Sequence, residues 1–157
     1  MTNECIPYYE ADYTQKITVN VGYAVVGKTF VGPLTGFQSQ GPALATDPLA
    51  AGDGGNLQAP AAPLAAGQVS GVAAWDQPTV NGKVPIIRGQ GTMLPVTSGA
   101  AVAIGDLLKV DVQGRVVTAT QVAAGLQPVN WVVGKAHSAA GAAGTDVVVE
   151  LLAGYFI

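Results

Sequence analysis

Short runs of alternating hydrophobic and polar residues recur along this chain, and each run predicts a β-strand. In the first run, residues 16–21, the side chains of Ile17, Val19 and Val21 fall on one face of an extended segment and polar side chains on the other. The further runs that favour strands are residues 23–31, 68–75, 83–88, 92–96, 107–112, 116–119, 131–137 and 145–152. Gly27 predicts a bulge or bend within the run 23–31. Short strands at this spacing predict an all-β domain, built as a small β-barrel or as a sandwich-like pair of sheets.

The clearest of these patterns is a β-hairpin in the last third of the chain. Leu108 and Val110 lie on one face of its first strand, and Gln113-Gly114 then supplies a tight turn in which glycine tolerates a positive φ. Asp106 is placed to cap the turn that precedes the hairpin.

Proline and glycine interrupt the chain repeatedly between residues 32 and 67, in a tract that is also rich in alanine. Because proline removes a hydrogen-bond donor and blocks helix interiors, this tract predicts a long, irregular excursion rather than packed secondary structure. Pro85 and Pro95 fall within two later runs, which predicts edge strands for both. We therefore divide the chain into an extended N-terminal arm, residues 1–14, and a single β-domain, residues 15–157, that includes the excursion.

Composition changes this picture by indicating how the protein is held together. Charged residues make up only 11% of the sequence and aromatic residues 6%, so few large side chains are available for a core. Small side chains bury little apolar area, which predicts further burial against other proteins, in a homo-oligomer or on a partner's surface.

Charge and segment length exclude other classes of partner. The net charge is −3, and the Lys and Arg residues are placed singly along the chain, so we expect no nucleic-acid partner. The N-terminal residues lack the basic and apolar regions of a signal peptide, and no apolar run reaches the length of a bilayer span. We expect synthesis in a cytoplasm and no membrane partner.

Residue types that carry chemistry are sparse. His137 is the single histidine, and although Ser138 and Asp146 are near it in sequence, the Gly-x-Ser-x-Gly turn of a hydrolase nucleophile is missing. Cys5 is the single cysteine, which excludes an internal disulfide and argues against a cysteine-based metal site. We therefore expect no enzyme activity, no metal and no cofactor.

A longer pattern spans residues 95–152. It consists of Gly105-Asp106-Leu107-Leu108, Asp111, Gly114-Arg115-Val116-Val117, Ala119, Val133-Gly134-Lys135-Ala136, a glycine- and alanine-rich turn that ends at Gly144, and Val147-Val148-Val149. This order resembles the small β-domain of the tailed-bacteriophage head decoration proteins, also called capsid cement proteins. The resemblance implies a non-enzymatic virion protein that binds the outer surface of the assembled head. It also implies a homotrimer that contacts the major capsid protein and stabilises contacts between its subunits.

The predicted partner-binding residues are three tyrosines of the arm and three aliphatic residues of the first strand, namely Tyr8, Tyr9, Tyr13, Ile17, Val19 and Val21. Tyrosine offers a large contact area with few torsions to order, which suits an anchor on another protein. The alternating first strand favours addition to an exposed sheet edge of a capsid protein. The alternative for the tyrosines is that they cover the protein's own core.

The alternative function is a small β-barrel module that binds a glycan or a peptide. Trp75 and Trp131 would form its ligand platform, since indole rings stack on sugars and on other apolar ligands. Tryptophans more often lie in a core or in a subunit interface.

Overall fold

Ten β-strands form the regular secondary structure of the part of the chain that the computed structural model describes, residues 4–10, 14–20, 24–34, 56–58, 71–79, 82–111, 113–120 and 131–156. The strands are β1 (Gln15–Asn20), β2 (Phe30–Leu34), β3 (Asn56–Gln58), β4 (Gly71–Ala73), β5 (Lys83–Arg88), β6 (Met93–Thr97), β7 (Leu107–Val110), β8 (Val116–Thr118), β9 (Trp131–Ala136) and β10 (Asp146–Phe156). No helix occurs among these residues, and the predicted all-β class is confirmed.

The strands form two five-stranded antiparallel sheets. The first sheet has the order β1-β5-β4-β2-β3 and the second has the order β6-β10-β9-β7-β8. One core cluster takes side chains from both, including Phe30 and Ile87 from the first sheet and Leu94 and Leu108 from the second. Of the two predicted architectures the sandwich is therefore confirmed, whereas neither sheet closes into a hydrogen-bonded barrel within the described ranges.

The first sheet is buried on both faces. Phe30 and Val72 join the core between the sheets, whereas their neighbours Val31 and Ala73 join a second cluster on the opposite face. The two edge strands of this sheet, β1 and β3, come within 8 Å of each other between Cα atoms, so the sheet curls around the second cluster.

The predicted hairpin is confirmed. β7 and β8 pair with Val110 opposite Val116, and both side chains are buried. Gly114 adopts a φ of 78° in the turn, and the carboxylate of Asp111 accepts a hydrogen bond from the backbone N–H of Arg115 at 2.9 Å. The same carboxylate forms an ion pair with the Arg115 guanidinium at 2.8 Å, so one aspartate holds the turn closed.

The run 23–31 does not form a strand along its whole length. Lys28 turns the chain with a φ of 60°, and sheet pairing begins only at Phe30. A lysine in this left-handed region is uncommon. Its N–H donates to the Ala73 carbonyl and its carbonyl accepts the Thr97 N–H, at 2.9 Å each, so bonds to both sheets hold it there.

Two segments of the predicted irregular excursion, residues 32–34 and 56–58, form paired strands. β2 extends to Leu34 and pairs with β3, with Gly32 opposite Gln58 and Leu34 opposite Asn56. The prediction is wrong at these positions because a proline-rich composition does not exclude a short strand where a neighbouring strand offers an unpaired edge. The rest of the excursion lies outside the described residues.

The two prolines predicted to lie on edge strands, Pro85 and Pro95, have different positions. Pro95 lies on the edge strand β6, as predicted, but Pro85 lies on β5, between β1 and β4. In an antiparallel strand the nitrogen and oxygen of one residue point to the same neighbour, and the Pro85 oxygen accepts the Ala74 N–H at 2.9 Å. Proline has no N–H to return to the Ala74 oxygen, and the N–H of Cys5 donates to that oxygen instead, at 2.6 Å. The central strand therefore tolerates proline because the N-terminal arm supplies the missing donor.

Candidate interaction surface

Residues 4–10, the longer of the two described parts of the predicted arm, are bound to both sheets. Besides the bond to the end of β4, the N–H groups of Tyr8 and Tyr9 donate to the Met93 carbonyl at 2.8 and 3.2 Å. The Met93 N–H donates back to the Tyr9 carbonyl at 2.9 Å. Met93 begins β6, so the arm covers part of the outer edge of the second sheet.

Cys5 fixes the arm to the core. Its side chain is buried in the main core cluster, and its thiol donates to the Pro95 carbonyl at 3.3 Å. Burial raises the pKa of this thiol from 9.0 to about 12, while the nearby Lys28 ammonium lowers it by less. Cys5 is thus a neutral residue of the core. The predicted division into an arm, residues 1–14, and a domain, residues 15–157, places it in the arm, whereas its side chain packs with the domain.

The arm turns three large side chains outwards. The exposed fractions are 64% for Ile6, 70% for Tyr8 and 59% for Tyr9. Tyr8 and Tyr9 therefore do not cover the protein's own core, which was the alternative to partner binding. We call these three residues the arm patch; exposed apolar side chains offer area that another protein can bury.

An open groove of about 340 Å³ adjoins the arm patch. Ile6, Tyr8 and Pro95 supply apolar and aromatic walls, and Lys28 and Asp146 form an ion pair within the lining, at 2.6 Å. Glu4 also lines the groove, so the lining combines apolar walls with one cation and two carboxylates.

The other predicted contact residues have different settings. Tyr13 and Val21 lie outside the described residues, and Val19 lies on β1 with its side chain outside them. Ile17 is half-buried and packs against the second core cluster. Of the predicted contact residues, Tyr8 and Tyr9 are thus exposed, together with the nearby Ile6, whereas Ile17 lies on the protein's own core.

The sheet edges bear on the predicted strand addition. The outer edge of β1 faces β3 across the curled first sheet. At the far edge of the second sheet, the Val116 carbonyl on β8 accepts the Gly99 N–H at 2.8 Å, and the arm covers part of β6. Strand addition stays a prediction, and the described edges favour contact through side chains instead.

The candidate hydrolase residues engage separate partners. The Nε2 atom of His137 lies 2.8 Å from Oε2 of Glu150, and the Ser138 hydroxyl accepts a backbone N–H at 2.8 Å. Asp146 pairs with Lys28 at 2.6 Å. Each contact joins neighbouring strands or loops, which is a structural use of these side chains.

Trp75 and Trp131 are half-buried and pack against the core, which favours the core interpretation over a ligand platform. Within the described ranges, no group of three or more potential metal ligands occurs. None of these residues forms a helix suited to crossing a bilayer.

Comparison with known proteins gives a structural match only. No known protein family and no curated protein matches the sequence. The structure is similar to the crystal structure of the N base of the head fiber gp8.5 of bacteriophage phi29, with a TM-score of 0.57. The match covers 88% of this chain and 93% of that chain at 17% sequence identity, which shows a shared fold. The resemblance to a phage head protein is therefore confirmed at the level of the fold.

Proposed function

We propose that the protein is a structural component of a tailed-phage head that binds the outer surface of the assembled shell. It contacts the major capsid protein and stabilises contacts between neighbouring subunits. The observation that carries this proposal is the fold shared with a phage head fiber base over 88% of the chain. Because a fold alone does not specify a function, the attachment site is argued from the surface.

The arm patch supports attachment through side chains. Backbone bonds between Tyr8, Tyr9 and Met93 already order the segment, so binding costs little additional backbone entropy. The two rings and the Ile6 side chain offer apolar area that a partner can bury together with the walls of the adjoining groove. These features suit a rigid anchor on a preassembled shell.

The proposal includes the remaining features that the sequence resemblance implies. The protein acts without catalysis or a cofactor, is synthesised in the host cytoplasm and assembles on the virion as a homotrimer. Its partners are the capsid and further copies of itself, and nucleic acid and membrane are not among them.

Co-sedimentation with empty heads of the same phage tests the proposal. The double variant Tyr8→Ala/Tyr9→Ala removes both rings and keeps their backbone bonds, and we expect apparent affinity for the heads to fall at least about tenfold. Val26→Ala, which truncates another exposed aliphatic side chain, is the matched control and is expected to bind like the wild type. Failure of the wild-type protein to bind heads, or equal binding by the double variant, contradicts the proposed attachment.

A further inference from the structure

The groove beside the arm patch has an unbalanced charge. Three ionisable side chains line it, those of Lys28, Asp146 and Glu4. The Lys28 ammonium donates to the Asp146 carboxylate at 2.6 Å, so these two charges compensate each other. Glu4 is exposed, and its carboxylate takes part in no ion pair or hydrogen bond with the residues that the structure describes. One negative charge in the groove is therefore left uncompensated, and it belongs to Glu4.

The walls of the groove hold their shape before a partner binds. Pro7 and Pro95 contribute rings that have almost no side-chain freedom to lose. Lys28 is fixed by its backbone bonds to both sheets at a φ of 60°, a conformation that is uncommon outside glycine and that is found repeatedly at ligand-binding sites. A partner that enters the groove orders few further groups of this protein, which lowers the entropic cost of binding.

Charge and location together define what fits the groove. An uncompensated carboxylate beside apolar walls complements a segment that presents a lysine or arginine next to an apolar side chain, and it repels an acidic segment. Ile6 and Tyr8 belong both to the groove and to the arm patch, so the occupant comes from the partner that the arm patch contacts.

We propose that the groove binds a segment of the major capsid protein in which a lysine or arginine lies beside an apolar residue. The cation pairs with Glu4, and the apolar side chain packs against Ile6, Tyr8 and the proline rings. Glu4 then selects the segment and fixes its position, whereas the arm patch supplies buried area. This inference rests on the proposed attachment to the head.

Co-sedimentation of the full chain with empty heads of the same phage tests the role of Glu4. Glu4→Gln removes the charge and keeps the size of the side chain, and we expect the apparent affinity to fall about two- to fivefold. Glu4→Lys places a cation against the partner's cation, and we expect a loss of at least about tenfold. Both losses should shrink as the salt concentration rises from about 0.1 M to about 1 M, because the Debye length falls from about 10 Å to about 3 Å. Glu4 is exposed, so both variants should keep the wild-type thermal midpoint.

Glu10→Lys is the matched control. Glu10 lies on the same arm but outside the groove lining, and its substitution changes the net charge by the same amount. The ion pair that it gives up, with Lys16, is exposed and contributes little, so this variant should bind heads like the wild type. Impairment equal to that of Glu4→Lys would assign the loss to overall charge and overturn the proposal.

Crosslinking identifies the occupant of the groove. The variant Ile6→p-benzoylphenylalanine is bound to heads and irradiated, and the crosslinked peptides are identified by mass spectrometry. We expect a peptide of the major capsid protein. Replacing the lysine or arginine nearest to the crosslink with glutamate should weaken binding of the wild type and restore binding of Glu4→Lys.

The outcomes separate this inference from the proposed function. A wild type that does not bind heads contradicts the proposed attachment and, with it, this inference. Head binding that is the same for the wild type and both Glu4 variants overturns the groove assignment and leaves the attachment in place. So does a crosslink to a second copy of this chain, or a charge reversal on the capsid protein that fails to restore binding of Glu4→Lys.

Discussion

The reactivity of Cys5 provides a direct measure of whether the arm is docked in the free protein. Burial raises the pKa of the thiol from 9.0 to about 12. Only the thiolate reacts with alkylating reagents, and this pKa lowers its population near neutral pH about a thousandfold relative to an exposed cysteine. We therefore expect iodoacetamide to label the folded protein at least about a thousand times more slowly than the denatured protein.

Met93→Pro should weaken this protection and speed the labelling. Proline removes the N–H that Tyr9 accepts and places a ring carbon in its way, while β6 is an edge strand on that side and tolerates proline. Met93→Ala removes the same side chain but keeps the N–H, so it should label as slowly as the wild type. The labelled cysteine is quantified by mass spectrometry against reaction time.

Two results would refute the reasoning. Rapid labelling of the native wild-type protein would mean that residues 4–10 do not dock as described. Equal protection in Met93→Pro and Met93→Ala would mean that the bond from the Met93 N–H to Tyr9 does not help to hold the arm.

Two further predictions concern stability. Gly114→Ala should lower the free energy of unfolding by roughly 1–3 kcal/mol, because a Cβ there lies 2.4 Å from the Phe30 carbonyl oxygen at a φ of +78°. Gly141→Ala meets open space and should change the thermal midpoint little, and similar midpoints for the two variants would contradict this account. The neutral Cys5 thiol stabilises the fold fully below pH 9, and this contribution, up to about 4 kcal/mol, is lost as the pH rises towards 12. Urea titrations should therefore show a steeper alkaline loss of stability in the wild type than in Cys5→Ala, and parallel losses would rule out this role.

Alternation of residue type was sufficient to predict those strands whose two faces differ. The hairpin of β7 and β8 was predictable because Leu108 and Val110 share one face of an extended segment, the other face is mixed, and Gly114 marks the turn. The run 23–31 was predictable only in part: a bend at Gly27 was expected, but the left-handed turn at Lys28 depends on bonds to both sheets and lysine carries no local signal for it.

The candidate surface was only partly predictable for a related reason. Tyrosine is a residue type that suits contact with other proteins, and the residue type alone was the basis for predicting Tyr8 and Tyr9 as contact residues. The groove beside them pairs Lys28 with Asp146 across 118 positions of sequence, and Cys5 meets Pro95 across 90. No local pattern encodes such contacts, since they exist only after the two sheets have packed.

Pro85, on a central strand of the first sheet, has a consequence for engineering and for evolution. The carbonyl that receives Cys5 is available only because Pro85 cannot donate to it. Grafting residues 4–10 onto another β-sandwich would therefore not reproduce their placement unless the recipient also had a strand carbonyl that lacks a donor from its neighbouring strand. Conversely, a residue with a backbone N–H at position 85 would donate to the Ala74 carbonyl and displace the N–H of Cys5 from it. A half-buried position in the middle of the first sheet thus governs where the tyrosines are displayed.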